Sequence, residues 1–403
     1  MNSENRSGLK ERRLEVATRS RQRLVAHIAA GGTTDMADAA MENDSSAYCD
    51  PQRDQREKSR LFRQSPIVAC FSSDVASAGD AFVFDLLGTS VLLLRSSNSR
   101  LRGYLNRCSH RGTRLIATRY GACRLESGRI TCPFHAWSYD IEGKLSHVPG
   151  AEGFEQQLLE QRNLTPVQVR EHLGLVFVQI QGQIEDGGIA AFFGDFHDEI
   201  AQLELSLLQP VHNFALDARS NWKYAMDTYC EGYHFSVLHR DSIGRDFFSN
   251  IAVFDDFGRH WRLCFAERAL AALVDRDQSE WPDVAFSGIH FLFPNTLLVV
   301  GTLPQGEMCV RMFQLLPGQD AGSMTCLIRV YAPASVVADE ERLSREFAYN
   351  DANSDITQED YEVAVEGYRN LANAPDSFRL VYGRNEPALQ AFHRALASAL
   401  SEP

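Results

Sequence analysis

With 403 residues the chain exceeds the size at which one hydrophobic core usually stops growing, so two domains and a tail are expected. Hydrophobic residues at 44% and charged residues at 23% are ordinary values, and no apolar run approaches the roughly 20 residues that cross a bilayer, which excludes a membrane span. A net charge of -13 argues against a nucleic-acid binder, whose affinity comes from clustered Lys and Arg, and nine scattered cysteines suit a reducing cytoplasm better than a disulfide scaffold.

Residues 1–44 are polar and lack the apolar core of a secretory signal. The stretch RSRQRLVAHIAA allows an amphipathic turn or two, or an organelle presequence, but Glu4, Glu11 and Glu15 disfavour the latter, so a disordered tail is expected. From Asp50, DPQRDQREKSRLF reads as a short charged helix. IVACF, DAFVFDLL and SVLLLR then read as strands, with Gly88 in the turn between the second and third. This antiparallel domain, leading helix included, is expected over residues 45–183. A second domain is expected over residues 184–403, where FFGDFHDEIAQL reads as helix and HFLFPNTLLVVGTL, EMCVRMFQLLP and SMTCLIRVYAP as strands. ADEERLSREFAY, QEDYEVAVEGYRNL and PALQAFHRALASAL close the chain as helices, and the fold class is α+β.

Two motifs carry chemistry. CSHRG holds Cys108 and His110, and CPFHAW holds Cys132 and His135, with residues 111–131 between them. Structural zinc is one reading of such a set. A Rieske [2Fe–2S] centre requires this division, two Cys for one iron and two His for the other. Gly112 lets the first loop turn, Pro133 stiffens the second, and Phe134 and Trp137 are expected to shield the cluster from water. Cys123 lacks a His at the right offset and reads as an ordinary thiol. Arg102, Arg107, Arg111, Arg114, Arg119, Arg124 and Arg129 surround one acid, Glu126, which suggests either a docking face for an acidic electron donor or a solvated basic surface.

In TYCEGYHFSVLH, Glu231 and His234 share a helical face, whereas the five residues from His234 to His239 turn roughly 140°, so a helix here must bend or end for both imidazoles to meet one metal. Two His and a carboxylate form the facial triad of mononuclear non-haem Fe(II). Among the acids of DANSDITQEDYEVAVE, Asp360 is favoured as the third ligand, with Glu359, Asp355 and Glu362 as rivals.

With YCDPQRDQREKSRLFR, CSHRG, CPFHAWSYD, NWKYAMDTYCEGYH, His239 and QED on the page, the chain from about Tyr48 onward resembles the oxygenase α subunits of ring-hydroxylating Rieske non-haem iron oxygenases. The resemblance implies a Rieske β domain followed by a START-like domain of helices and antiparallel sheet. It implies His234, His239 and Asp360 as iron ligands, and Glu231 as the bridge to His135 of a neighbouring subunit in a head-to-tail homotrimer. It also implies O2 as co-substrate and electrons drawn from NAD(P)H through a separate ferredoxin or flavin reductase, since the chain has no GxGxxG and no plant-type ferredoxin pattern.

Three departures from the family pattern stand out. The spacing between the cluster loops is long, which suggests a larger hairpin around Gly121; Thr228 replaces a common Asn; and Asp227 replaces a common Glu, so polar groups near the iron are expected to differ. Glu231 in place of Asp resembles members that act on quaternary amines. The implied activity is hydroxylation or oxidative dealkylation of a small organic substrate. The alternatives are a Rieske electron carrier, against which the length of the second domain speaks, and a START-like ligand-binding protein with an inactive iron site. Phe235, Phe247, Phe248, Phe286, Phe291, Phe293 and Trp261 are candidates for an apolar substrate pocket or for core.

Overall fold

The DAFVFDLL and SVLLLR runs pair as an antiparallel hairpin in the computed structural model, which describes residues 3–125, 128–282, 287–347 and 349–401. Leu86 pairs with Thr89 across Leu87 and Gly88, both at positive φ, the two-residue turn whose twist matches the flanking strands. The hairpin lies in a seven-stranded sheet ordered Ile67–Phe71, Leu175–Gln179, Pro166–His172, Leu101–Leu105, Thr89–Arg95, Asp80–Leu86, Tyr120–Arg124. A three-stranded sheet of Arg129–Thr131, Ser138–Asp140 and Leu145–His147 completes this unit, whose core gathers Val83, Leu92, Leu94, Ile130, Trp137 and Tyr139. Gly121 does not turn a hairpin. It lies within a strand, paired with Val83, and beyond that strand the Gly128 amide donates to the Leu125 carbonyl at 3.0 Å.

The second unit is built on another seven-stranded sheet, ordered Leu208–Ala218, Met324–Pro333, Met308–Pro317, Thr296–Thr302, Gly288–Leu292, His260–Glu267, Phe247–Phe257. The 23-residue helix Tyr349–Leu371 packs with the short helix Trp222–Asp227, and the two are tied by the Ser220 hydroxyl donating to the Ala364 carbonyl at 2.8 Å. Asn221 caps the short helix by accepting from the Lys223 amide at 3.0 Å, while its side-chain amide donates to the carbonyls of Tyr48 and Ala321. No helix among the described residues is long and apolar enough to cross a membrane.

The N-terminus departs from expectation. Residues expected to be a disordered tail form a helix, Ser3–Ala29, because Leu24, followed by Ile28, packs on Ile251, Val253, Cys264 and Ala266 of the second unit's sheet. Polar composition alone hid this, since the apolar residues are few and widely spaced along a long helix. The compact units also divide the chain differently from the expected boundaries: residues 1–58, 193–203 and 210–403 form one, and residues 59–192 and 204–209 the other. The leading helix Pro51–Glu57 therefore belongs with the larger unit.

A buried ion pair is one reason. Glu57 is fully buried against the Lys223 ammonium and accepts a further bond from Arg53 Nε at 3.0 Å. Removing one partner of such a pair strands a charge away from water. Lys223→Met is expected to destabilise the larger unit by about 3–5 kcal/mol, read as a lower urea midpoint with an unchanged slope. A midpoint equal to that of the parent protein would show the pair to be dispensable.

Candidate functional site

The two cysteine loops are built alike. The Cys108 amide donates to Thr113 O and Gly112 N to Cys108 O; likewise Cys132 N donates to Trp137 O and Ala136 N to Cys132 O. Each loop closes through the residue four positions after its cysteine, and both of these, Gly112 (φ 81°) and Ala136 (φ 57°), take the left-handed conformation. Both thiols are buried and free, and the rings of His110 and His135 lie 4.9 Å apart.

This donor set suits a two-iron cluster, which divides its four ligands between two ions and does not gather them on one point. Burial, then His135 and Arg111, lower the His110 pKa, which favours the neutral imidazole a metal needs. Burial raises the Cys108 pKa, partly offset by a hydrogen bond from Tyr139. The Tyr139 hydroxyl lies 3.2 Å from Cys108 Sγ and also accepts from the Ser109 amide at 3.0 Å. Hydrogen bonds to cluster sulfurs raise the reduction potential. Tyr139→Phe is expected to lower it by roughly 40 mV, the one-electron equivalent of a bond worth about 1 kcal/mol. Potentiometry on the reduced and oxidised protein reads this directly, and an unchanged midpoint would remove Tyr139 from that role.

Shielding is uneven. Trp137 is buried and stacks on His110 at 4.5 Å, but Phe134 is 56% exposed, lying against His135 and beneath the Arg111 guanidinium. The basic cluster is also less naked than its sequence suggested. Asp85 pairs with Arg114 and Arg119, Asp80 with Arg124, and Glu142 with Arg102, acids brought in from other strands and turns. Arg107, Arg111 and Arg129 remain as exposed cations, while Glu126 lies outside the described residues. Cys123 lies in the Tyr120–Arg124 strand, half-buried against the core, with its thiol pKa pushed up by burial.

In the larger unit the helix Trp222–Asp227 ends before the first candidate ligand, and residues 228–242 run as successive turns. That break meets the geometric demand of the His234–His239 spacing. One ligand atom each from His234, His239 and Asp360 lies within 4.8 Å of the others. His239 Nε2 is 3.0 Å and His234 Nε2 3.6 Å from Asp360 Oδ1, and the buried His234 Nε2 makes no hydrogen bond among the described residues. The far nitrogens are held by carboxylates. His234 Nδ1 is 2.5 Å from Glu231 Oε1, and His239 Nδ1 is 2.7 Å from Glu359 Oε2. Glu231 also accepts from the amides of Tyr233 and His234.

Glu359 thus supports a ligand position without occupying it, Glu362 is exposed, and the Asp355 side chain lies outside the described residues. Burial opposes a charged His239, but hydrogen bonds with Asp360 and Glu359 outweigh it and raise its pKa; burial likewise raises the Asp360 pKa. Binding of a cation at this pair would compete with a proton. The residues present therefore fit a mononuclear two-His, one-carboxylate iron centre.

A cavity of about 340 Å³ opens beside this triad. Phe235 and Phe247 line it as anticipated, but Trp261 and Phe291 stack on each other in the core, Phe248 packs beside the N-terminal helix, Phe293 lines a different pocket, and Phe286 lies outside the described residues. Sequence reasoning missed Tyr229, Phe265, Arg311 and Phe313. Strand alternation names two faces but not which one is concave. Thr228 lines the cavity with its hydroxyl donating to Ala225 O, whereas Asp227 is turned away and engaged by Tyr48 and His393.

The comparisons agree with this geometry. Residues 65–168 match the Rieske [2Fe-2S] domain family, and residues 205–402 match the catalytic domain of the ring hydroxylating alpha subunit. The carnitine monooxygenase oxygenase subunit of Escherichia coli (strain K12) is 30% identical over 274 residues, covering 65% of this chain and 68% of that protein. The anthranilate 1,2-dioxygenase large subunit of Acinetobacter baylyi is 28% identical over 205 residues, covering 48% and 41%. Among solved structures, the quaternary ammonium Rieske monooxygenase CntA with L-carnitine superposes with a TM-score of 0.74 at 19% identity, covering 91% of this chain and 97% of that one. A naphthalene 1,2-dioxygenase variant superposes at 0.70 and 15% identity, covering 92% and 94%. The cluster loops, the two-His, one-carboxylate constellation and these likenesses converge: the chain belongs to the α (oxygenase) subunits of the ring-hydroxylating Rieske non-haem iron oxygenases, and it is an oxidoreductase that incorporates O2.

Proposed function

We propose that this oxygenase hydroxylates or oxidatively dealkylates a small organic substrate in the cavity beside His234, His239 and Asp360, with electrons supplied by a separate reductase or ferredoxin. The observation that carries this is the convergence of those three side chains at a mostly apolar cavity. Cys108, His110, Cys132 and His135 would hold the cluster, which supplies single electrons, and the triad would hold the iron that activates O2. Glu231 and Glu359 fix which nitrogen of each imidazole faces the metal. The apolar part of the wall, with Phe235, Phe247, Phe265 and Phe313, would keep water from one side of a bound substrate.

We further infer a homotrimer in which Glu231 of one subunit meets His135 of the next. Exposed Tyr233 and Val237 flank the Glu231 loop, and exposed Phe134 flanks His135, apolar surface of the kind that interfaces cover. Because the Escherichia coli relative is a carnitine monooxygenase, L-carnitine heads the substrate screen. The test supplies NADPH or NADH, a flavin reductase and ¹⁸O2 to the iron-replete protein. Substrate-dependent incorporation of the label, or release of a dealkylated product, supports the reading; reductant consumption with neither from any small organic compound screened overturns it.

A further inference from the structure

Gly288 and Gly301 both line the cavity beside the triad, and the protein's own packing accounts for only one of them. At Gly288 an added Cβ would stand 2.8 Å from Cys264 Sγ and 3.3 Å from Leu263 O, so the neighbouring strand leaves no room for a side chain. Gly301 has no such reason. It lies inside the Thr296–Thr302 strand, its φ is not positive, and an added Cβ would meet, among the described residues beyond its chain neighbours, only Cys309 Sγ at 3.7 Å, an ordinary contact. Glycine inside a strand forfeits packing and chain stiffness, and it marks places where a ligand or another backbone comes close. Among the described residues no other backbone reaches this point.

The strand pairing sets the empty position on the cavity wall. Gly301 pairs with Cys309, so both point to one face, and Phe313, four residues on from Cys309, shares that face and lines the cavity. Phe313 packs on Tyr229 at 5.3 Å, and Tyr229 feels the charge of Asp360. Four residues of strand span about 14 Å. The wall therefore runs from Phe313, near the triad, past Val299 and Ile289 to bare backbone at Gly301.

Resting on the oxygenase reading, we propose that Gly301 determines substrate length: the apolar end of the molecule, remote from the carbon that is oxidised, lies against the bare backbone there. The enzyme then takes elongated substrates, and a side chain at this position shortens them. The test is calorimetric titration, under argon, of the full-length protein with straight-chain primary alcohols from butanol to decanol, with iron and sulfide quantified on each sample. Affinity in the parent protein is expected to rise about fourfold per methylene, the gain from burying each one, up to a limiting chain length. Gly301→Leu is expected to bring that limit down by roughly two to three methylenes and Gly301→Ala by about one, according to the volume each side chain fills, with shorter alcohols bound as before. Because the fold does not need this glycine, Gly301→Ala is expected to match or exceed the parent's urea midpoint, and it carries the test should the leucine variant not fold. An unshifted limit in the variants, no dependence on chain length in the parent protein, equal losses for short and long alcohols, or a lower urea midpoint in Gly301→Ala would overturn the proposal. Metal content separates the two readings: full iron and sulfide with an unshifted limit removes only the role of Gly301, whereas a missing third iron in the parent protein removes the oxygenase reading beneath it.

Discussion

Replacing His239 with alanine is expected to take the protein from about three irons per chain to about two, with both sulfides retained and product formation abolished. His239 is 1% exposed and reaches two carboxylates, Asp360 through Nε2 and Glu359 through Nδ1. Without the imidazole, a metal would keep one His and one carboxylate, and Asp360 would be left as a buried acid with His234 Nε2 3.6 Å away. Burial already raises its pKa, so loss of His239 pushes it further toward the neutral form, which binds metal poorly. The cluster ligands lie in the other compact unit, and the EPR signal of the dithionite-reduced protein should persist. Glu359→Gln is the graded companion, expected to retain the site but weaken iron binding by about 10- to 100-fold. Three irons per chain in His239→Ala would place the mononuclear metal elsewhere.

Glu231→Gln should separate metal binding from turnover. Its carboxylate lies 2.5 Å from His234 Nδ1 and accepts two backbone amides, so the isosteric amide preserves the loop while removing the charge. Iron binding is expected to weaken about as much as in Glu359→Gln, but with iron supplied in excess the site refills, while substrate-dependent product formation still falls by about two orders of magnitude. If Glu231 acts on a neighbouring subunit's His135, oligomers assembled from Glu231→Gln and His135→Ala chains should regain part of the activity that each variant lacks alone. Each such pair reunites an intact His135 in one chain with an intact Glu231 in another. Mixed oligomers no more active than the separate variants would contradict the bridge between subunits.

Local chemistry was legible where a few consecutive residues do the work. CSHRG and CPFHAW announce their loops because each needs a thiolate, an imidazole and a tight turn within a handful of positions, and the matching hydrogen-bond closures at Gly112 and Ala136 follow from that constraint. The break between His234 and His239 was legible for a similar reason, since 100° per residue forbids both rings from facing one metal on a continuous helix. The N-terminal helix was not legible. Its stabilisation comes from strands more than 200 positions away, and nothing in a polar segment reports on a distant partner.

What the sequence by itself determined, then, is the donor inventory, the α+β class and the break at the iron loop, all set by short-range geometry and residue chemistry. Only the tertiary structure decided between neighbouring acids and between faces of strands. Glu359 and Asp360 are adjacent, yet a helix turns its side chains about 100° apart, which sends one to each nitrogen of the same His239 ring. Phe265 and Phe313 reach the cavity while Phe291 and Trp261 fill the core, because a pleated sheet gives every strand two faces and only packing on the Tyr349–Leu371 side or its opposite settles which one encloses space.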